Sequence, residues 1–219
     1  TRQVATGWEP NLRVAVDTVV PLGEVLPLVS ELLDKHPTIE VVLSTEVLAG
    51  TWEALLEDRV DLIIGGVGDV PGHRGIRCEP WRQINHVFVA APDHPLCQER
   101  SPISLEAVRQ YRAVIISDTS RNSAPLSRGL LNPQTPIYVP TKEAKVEAHR
   151  QGIGGGYVPQ SRGSADVAKG TQGALTLAET RADGPAQLGW KADNRGQALH
   201  FLLQRLREAA VPATQVQVE

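Results

Sequence analysis

From Leu12 the chain alternates. Leu12, Val14 and Val16 fall on one face of an extended strand that closes on Asp17 and Thr18. The period then changes: Leu22, Val25, Leu26, Val29, Leu32 and Leu33 recur at helical spacing and predict an amphipathic helix to about His36. Pro27 is expected near its first turn, where a missing N–H costs least. "TIEVVLSTE" (38–46) alternates as a second strand, and Thr51 reads as the N-cap of a helix on "WEALLEDR", with Glu53 in its first turn. "VDLIIGGV" (60–67) is continuously apolar, as a strand buried on both faces would be. The order β-α-β-α-β implies a parallel sheet covered on both sides.

The rest repeats the rhythm less regularly. "GIRCEPW" (75–81) reads as an edge strand and "INHVFVAAPDHPL" (84–96) as a strand running into a proline-rich turn. Ser104 caps "LEAVRQY", "AVIIS" (113–117) is a buried strand, and "RNSAPLSRGLL" (121–131) a short helix interrupted by Pro125. "PIYVP" (136–140) is a strand, and Thr141 caps a helix on "KEAKVEAHRQ" that stops at Gly152. "GGYVP", "ALTLAE" and "AQLGWKAD" (186–193) are further strands. A closing helix over 196–210 carries Leu199, Leu202, Leu203 and Leu206 on one face, with Arg205 and Arg207 on its solvated side.

In 219 residues, 41% of them hydrophobic, this pattern supports a sizeable core in one or two domains. The net charge of -3 argues against a strong nucleic-acid grip by these residues alone. Cys78 and Cys97 form no CxxC and too few bridges for a disulfide scaffold, so a reducing, cytoplasmic setting is expected. No apolar run is long enough for a membrane span, no signal peptide opens the chain, and methionine is absent, which suggests a fragment or a processed chain.

The order and spacing of these pieces resemble the effector-binding domain of LysR-type transcriptional regulators. The resemblance is carried by "LRVAV…VLPLVSELLDKHPTIEVVL", "LEDRVDLIIG", "HVFVAAPDHPL", "SLEAV", "HRQGIGGGYVP" and "FLLQRLRE", and covers nearly all of 12–210. It implies an α/β fold of two Rossmann-like subdomains of the periplasmic-binding-protein type II kind, with a ligand cleft between them. A linker remnant over 1–11 would precede subdomain I (12–88 plus 189–219), and subdomain II would hold 89–188. It further implies a homodimer, a tetramer in the full-length protein, and DNA contact only through an N-terminal winged helix-turn-helix that this sequence lacks.

In such folds ligands lie beyond the carboxyl ends of the strands. The expected ligand-binding residues are therefore Asp17, Thr18, Val19, Ser44, Glu46, Leu48, Gly66, Val67, Ser117, Asp118, Thr119, Arg121, Pro140 and Thr141. Thr18 and Thr119 are expected to face each other from opposite lobes. Helix starts after Thr18, Thr119 and Thr141, with Arg121 and Lys142 on the same loops, weigh against Asp17, Glu46 and Asp118. The balance leans to a small carboxylate bearing a hydrogen-bond donor.

Other chemistries find less support. "GIGGGY" follows a helix and precedes a strand, the inverse of a dinucleotide loop. The six histidines form no HxxxH, and His94 with Cys97 has no second pair to complete a metal site. Ser117, Asp118 and His86 lack a nucleophile elbow. No metal, cofactor or catalytic residue is expected. The effector is a small organic molecule, and the rival reading is an extracytoplasmic solute-binding protein of a transport system.

Overall fold

A computed structural model describes residues 8–69, 72, 75–179 and 184–210. Their contacts divide them into two units. The first holds the described residues up to Gln83, the segment Thr119–Pro125 and the described residues from Gly184 on; the second holds Ile84–Asp118 and the described residues from Leu126.

In the first unit, β1 (Asn11–Asp17), α1 (Leu22–Lys35), β2 (Glu40–Glu46), α2 (Ala49–Leu56) and β3 (Leu62–Gly66) follow the predicted alternation, and β4 (Ile76–Arg82) comes next. The late strand β10 (Ala186–Lys191) and α6 (Gln197–Glu208) close it. The sheet order is β2-β1-β3-β10-β4. β1 runs parallel to both β2 and β3, whereas β10 lies antiparallel between β3 and β4. Alternation along β1 and β3 sorts the core. Leu12, Val14, Val16, Leu62 and Ile64 pack with Val25, Val29 and Leu32 of α1 and with Leu199, Leu202, Leu203 and Leu206 of α6. Ala15 and Ile63 pack with Trp52 and Leu55 of α2.

Several local expectations give way. Pro27 stands six residues into α1, past its first turn, and Leu22, Leu26 and Leu33 of the predicted stripe are exposed while Val25, Leu28, Val29 and Leu32 are buried. Thr51 does not cap α2. The helix begins at Ala49, and Thr51 is a wholly buried residue inside it. No helix forms over 121–131, which the backbone crosses in bends and irregular structure. Of the polar opening stretch, 1–7 lies outside the described residues. Trp8 packs on the core, Glu9 accepts the N–H groups of Ala198 (2.8 Å) and Leu199 (3.2 Å) at the start of α6, and Asn11 already belongs to β1.

In the second unit β5 (His86–Ala90) lies antiparallel between β8 (Gly156–Pro159) and β9 (Gly173–Leu175). β6 (Ala113–Ile116) pairs in parallel with β7 (Pro136–Val139) and bridges to Gly155. α3 (Leu105–Arg109) is capped by Ser104 and α4 (Lys142–Arg150) by Thr141, as expected. α5 (Gln160–Ala168) has no counterpart in the sequence reading. Its sequence, "QSRGSADVA", is too polar to show an apolar face, and tertiary contact decides it. A β-carbon on Gly163 would stand 2.3 Å from Cγ1 of Val87 and 3.0 Å from Cγ2 of Val158, so the glycine lets the helix lie flush on the sheet.

That contact gives a prediction whose sign opposes helix propensity. Alanine is the better helix former by about 1 kcal/mol. At position 163 its methyl meets a stiff β-branched side chain, so Gly163→Ala should destabilise by about 1–3 kcal/mol in urea unfolding. Val87→Ala in the same chain should recover most of the loss.

Candidate functional site at the strand ends of the first unit

The polar pair that ends β1 is structural before it is anything else. Asp17 is 1% exposed. Its Oδ1 accepts the N–H of Val19 (3.1 Å), and its Oδ2 accepts the N–H of Leu48 (3.1 Å) and the hydroxyl of Thr51 (2.7 Å). One carboxylate therefore binds the β1–α1 turn to the β2–α2 turn. Leu48, buried at the N-cap of α2, has φ 53 and ψ -118, a conformation that costs a side-chain-bearing residue about 1–3 kcal/mol. Asp17 holds its N–H in that geometry. Thr18, half-buried, donates its N–H to the Glu46 carbonyl at 3.1 Å. Thr18 does not cap the helix that follows: α1 starts four residues later behind Pro21, with no side-chain cap.

Thr119 belongs to the same unit. Its hydroxyl donates to Oε2 of Glu46 (2.5 Å) and accepts the N–H of Val47 (2.9 Å). Glu46 is buried, with Oε1 held by the Arg59 guanidinium at 2.7 Å. The segment lies hard against α2: a β-carbon on Gly50 would fall 2.0 Å from the Thr119 Oγ1 and 2.6 Å from its carbonyl carbon. Residues 121–123 wrap a third buried carboxylate. Glu53 accepts N–H groups from Arg121 (2.7 Å), Asn122 (3.2 Å) and Ser123 (2.9 Å). Burial alone would push the Glu53 carboxyl up. The backbone donors of Arg121, Ser123 and Asn122, with the Ser123 hydroxyl, outweigh it and bring it down to about 2.

The other expected residues are placed as follows. Val19 is half-buried against the core, and Ser44 sits in β2 opposite Ala15. A β-carbon on Gly66 would meet the Trp52 ring at 2.8 Å, and the Val67 carbonyl accepts the Trp52 indole N–H at 3.1 Å. In the second unit, the Ser117 N–H donates to the Val139 carbonyl (2.9 Å) and Asp118 accepts the N–H of Leu126 (2.7 Å). Pro140 is exposed, and the Thr141 hydroxyl accepts the N–H of Ala144 at 3.1 Å. The structure thus gathers Asp17, Thr18, Val19, Glu46, Leu48, Thr119 and Arg121 in the first unit. It adds Thr51, Glu53 and Arg59, which the sequence reading did not assign to the site. Because no helix follows Thr119, one of the three helix starts behind the carboxylate lean is absent. Among the described residues, no group of three His, Cys, Asp or Glu is arranged to hold a metal ion, and no helix is long and apolar enough to cross a membrane.

Residues 5–211 match the family described as "LysR substrate binding domain". The chain is 31% identical over 203 residues to the probable HTH-type transcriptional regulator YhaJ of Escherichia coli (strain K12), covering 93% of this chain and 67% of that protein. Among solved structures, the regulatory domain of MetR, a LysR family regulator from N. meningitidis, superposes with a TM-score of 0.69 at 18% identity, over 92% of this chain and 95% of that one. The regulatory domain of CcmR from Synechocystis PCC6803, solved with 2-PG, gives a TM-score of 0.69 at 18% identity, over 94% and 99%. These likenesses show a mixed α/β fold of the type II periplasmic-binding-protein-like kind.

The grip on Glu53 carries a pH dependence. Its carboxyl lies below the ordinary 4.5, so its stabilisation of residues 121–123 is complete above that value and is lost as pH falls through about 2. After correction for intrinsic rates, amide exchange at Arg121, Asn122 and Ser123 should lose protection in that window before the amide of Ile63 does. In Glu53→Gln the three amides should be poorly protected already at pH 6.

Proposed function

The chain belongs to the LysR substrate-binding domain family, and from that premise we propose that it senses a small organic effector for a transcriptional regulator. The family match over residues 5–211 carries this reading. The curated relative YhaJ is a probable HTH-type transcriptional regulator, of which this chain spans about two thirds. That relationship disfavours the solute-binding-protein alternative. DNA contact and the transcriptional response belong to a winged helix-turn-helix elsewhere in the full-length regulator, and the working compartment is the cytoplasm. The domain binds and does not transform its ligand. Effector binding favours one conformation of the domain over another. A ligand that prefers one state shifts the population by its differential affinity.

The effector contacts are assigned to the strand-end residues Asp17, Thr18, Val19, Ser44, Glu46, Leu48, Gly66, Val67, Thr119 and Arg121, with Ser117, Asp118, Pro140 and Thr141 of the second unit. The clasped turns support this assignment, because strained backbone pinned by buried carboxylates gives a rigid, preorganised edge. A screen of small carboxylates by thermal shift, followed by calorimetry with a matched acid and its amide, tests it. Failure of every small organic molecule to bind overturns the sensor reading. Equal affinity for acid and amide overturns the carboxylate lean alone.

The two threonines should behave differently. Loss of one ligand hydrogen bond weakens binding up to about tenfold. Thr18→Ala should do this while leaving dimerisation intact. Thr119→Ala should also lower the melting temperature, since its hydroxyl serves Glu46 and Val47. Unchanged calorimetric affinity in both variants would remove these loops from the site.

A homodimer is part of the same reading. Leu22, Leu26 and Leu33 are 40%, 50% and 38% exposed on α1, an apolar stripe left over after the core is served. Sedimentation equilibrium at ~100 µM, well above typical specific affinities, should show a dimer. Leu26→Asp should give a monomer with the same circular dichroism.

A further inference from the structure

Inside the second unit, α4 turns two basic side chains inward, one helical turn apart. Lys145 is 7% exposed and His149 is fully buried. Neither ring nitrogen of His149 has a hydrogen-bond partner. An imidazole always carries at least one N–H, so a buried donor stands unmet. The two groups converge. Nε2 of His149 lies 3.1 Å, and Cε of Lys145 3.2 Å, from the point a β-carbon on Gly156 would occupy, with the Val114 carbonyl at 3.3 Å. Glycine at 156 lets the two side chains approach this closely, where a β-carbon would crowd both.

Among the described residues, the surroundings supply no free acid. Asp166, the buried carboxylate of this unit, is taken by Arg150 at 2.8 Å and Arg162 at 3.2 Å. Glu147, on the same helix, is exposed and pairs with Arg150. The third basic group nearby, His94, uses Nδ1 to accept the N–H of Leu96. Burial lowers the Lys145 amine to about 8, so it remains mostly protonated at neutral pH. Burial first, then Lys145 and His94, lower His149 to about 3, so it is neutral. A buried ammonium and a buried N–H without an acceptor are costly. One unit of negative charge with two acceptor oxygens satisfies both.

We infer that Lys145 and His149 form a buried binding site for a small monocarboxylate, one oxygen taking the lysine ammonium and the other the imidazole N–H. Neither residue is among the effector contacts assigned above, so the inference does not rest on them. A dianion would exceed the single positive charge, and a metal cation would face a lysine.

The probe is sodium formate, compared with sodium chloride at equal ionic strength and pH 7. For three heavy atoms the best affinity to expect is about millimolar. Formate should raise the melting temperature saturably in that range, beyond the chloride effect. Lys145→Met and His149→Phe should each abolish the difference, whereas Thr18→Ala should retain it. NMR of isotopically labelled lysine should show the Lys145 signal titrating at least one pH unit higher in formate than in chloride. Equal effects of formate and chloride on the wild type overturn the proposal, as does a formate response that survives Lys145→Met. Loss of the response in Thr18→Ala also overturns it, by moving the formate to the strand ends. If a variant fails to fold, the wild-type NMR comparison decides: a Lys145 titration that does not move refutes the site.

Discussion

The architecture of the strand-end site depends on one buried carboxylate. Asp17 accepts two backbone N–H groups and a hydroxyl from two different turns. Hydrogen bonds to a charged group contribute about 1.5–3 kcal/mol each. Their sum exceeds the about 1–3 kcal/mol that the Leu48 backbone costs. The strained turn thus depends on the Asp17 side chain being in place. This also answers why a buried strand should end on a polar residue: the strand delivers a carboxylate to the spot where the β1–α1 and β2–α2 turns meet.

Thr119–Pro125 is held by the same device used twice more. Glu46 and Glu53 are buried acids of β2 and α2, and each accepts donors from a segment some 70 positions later in the chain. Gly50 lets that segment approach the helix to within contact. The consequence is an edge built of backbone and short side chains whose positions are fixed by carboxylates behind them. Such an edge presents a ligand with groups that need little reorganisation.

Much of this was legible in the chain. The β-α-β-α-β opening shows because periods of 2 and 3.6 alternate cleanly, and the ordered set of short motifs carried the family. What stayed hidden was decided by contacts between distant residues. Thr51 looks like a cap by type and position, yet its hydroxyl is needed 34 residues upstream, at Asp17. Residues 121–131 looked helical, but that stretch forms no helix and is anchored through three successive N–H groups on Glu53. Glu53 read as an ordinary first-turn acid, and α5 left no apolar signature at all. At the site, the strand ends were found by topology, while the acids that brace them were not distinguishable from surface charges.

Glu9 has a consequence of a mechanical kind. Gly196, at the N-cap of α6, offers no side chain to that helix. A β-carbon there would lie 1.5 Å from the Glu9 carboxylate, which takes up the first free N–H groups instead. The strand entry and the last helix are therefore stitched together across 189 positions of sequence. A load applied to the chain ahead of Trp8 finds no slack to absorb it. It arrives at the first turn of α6, and through the leucines of that helix it is spread over the whole face of the sheet.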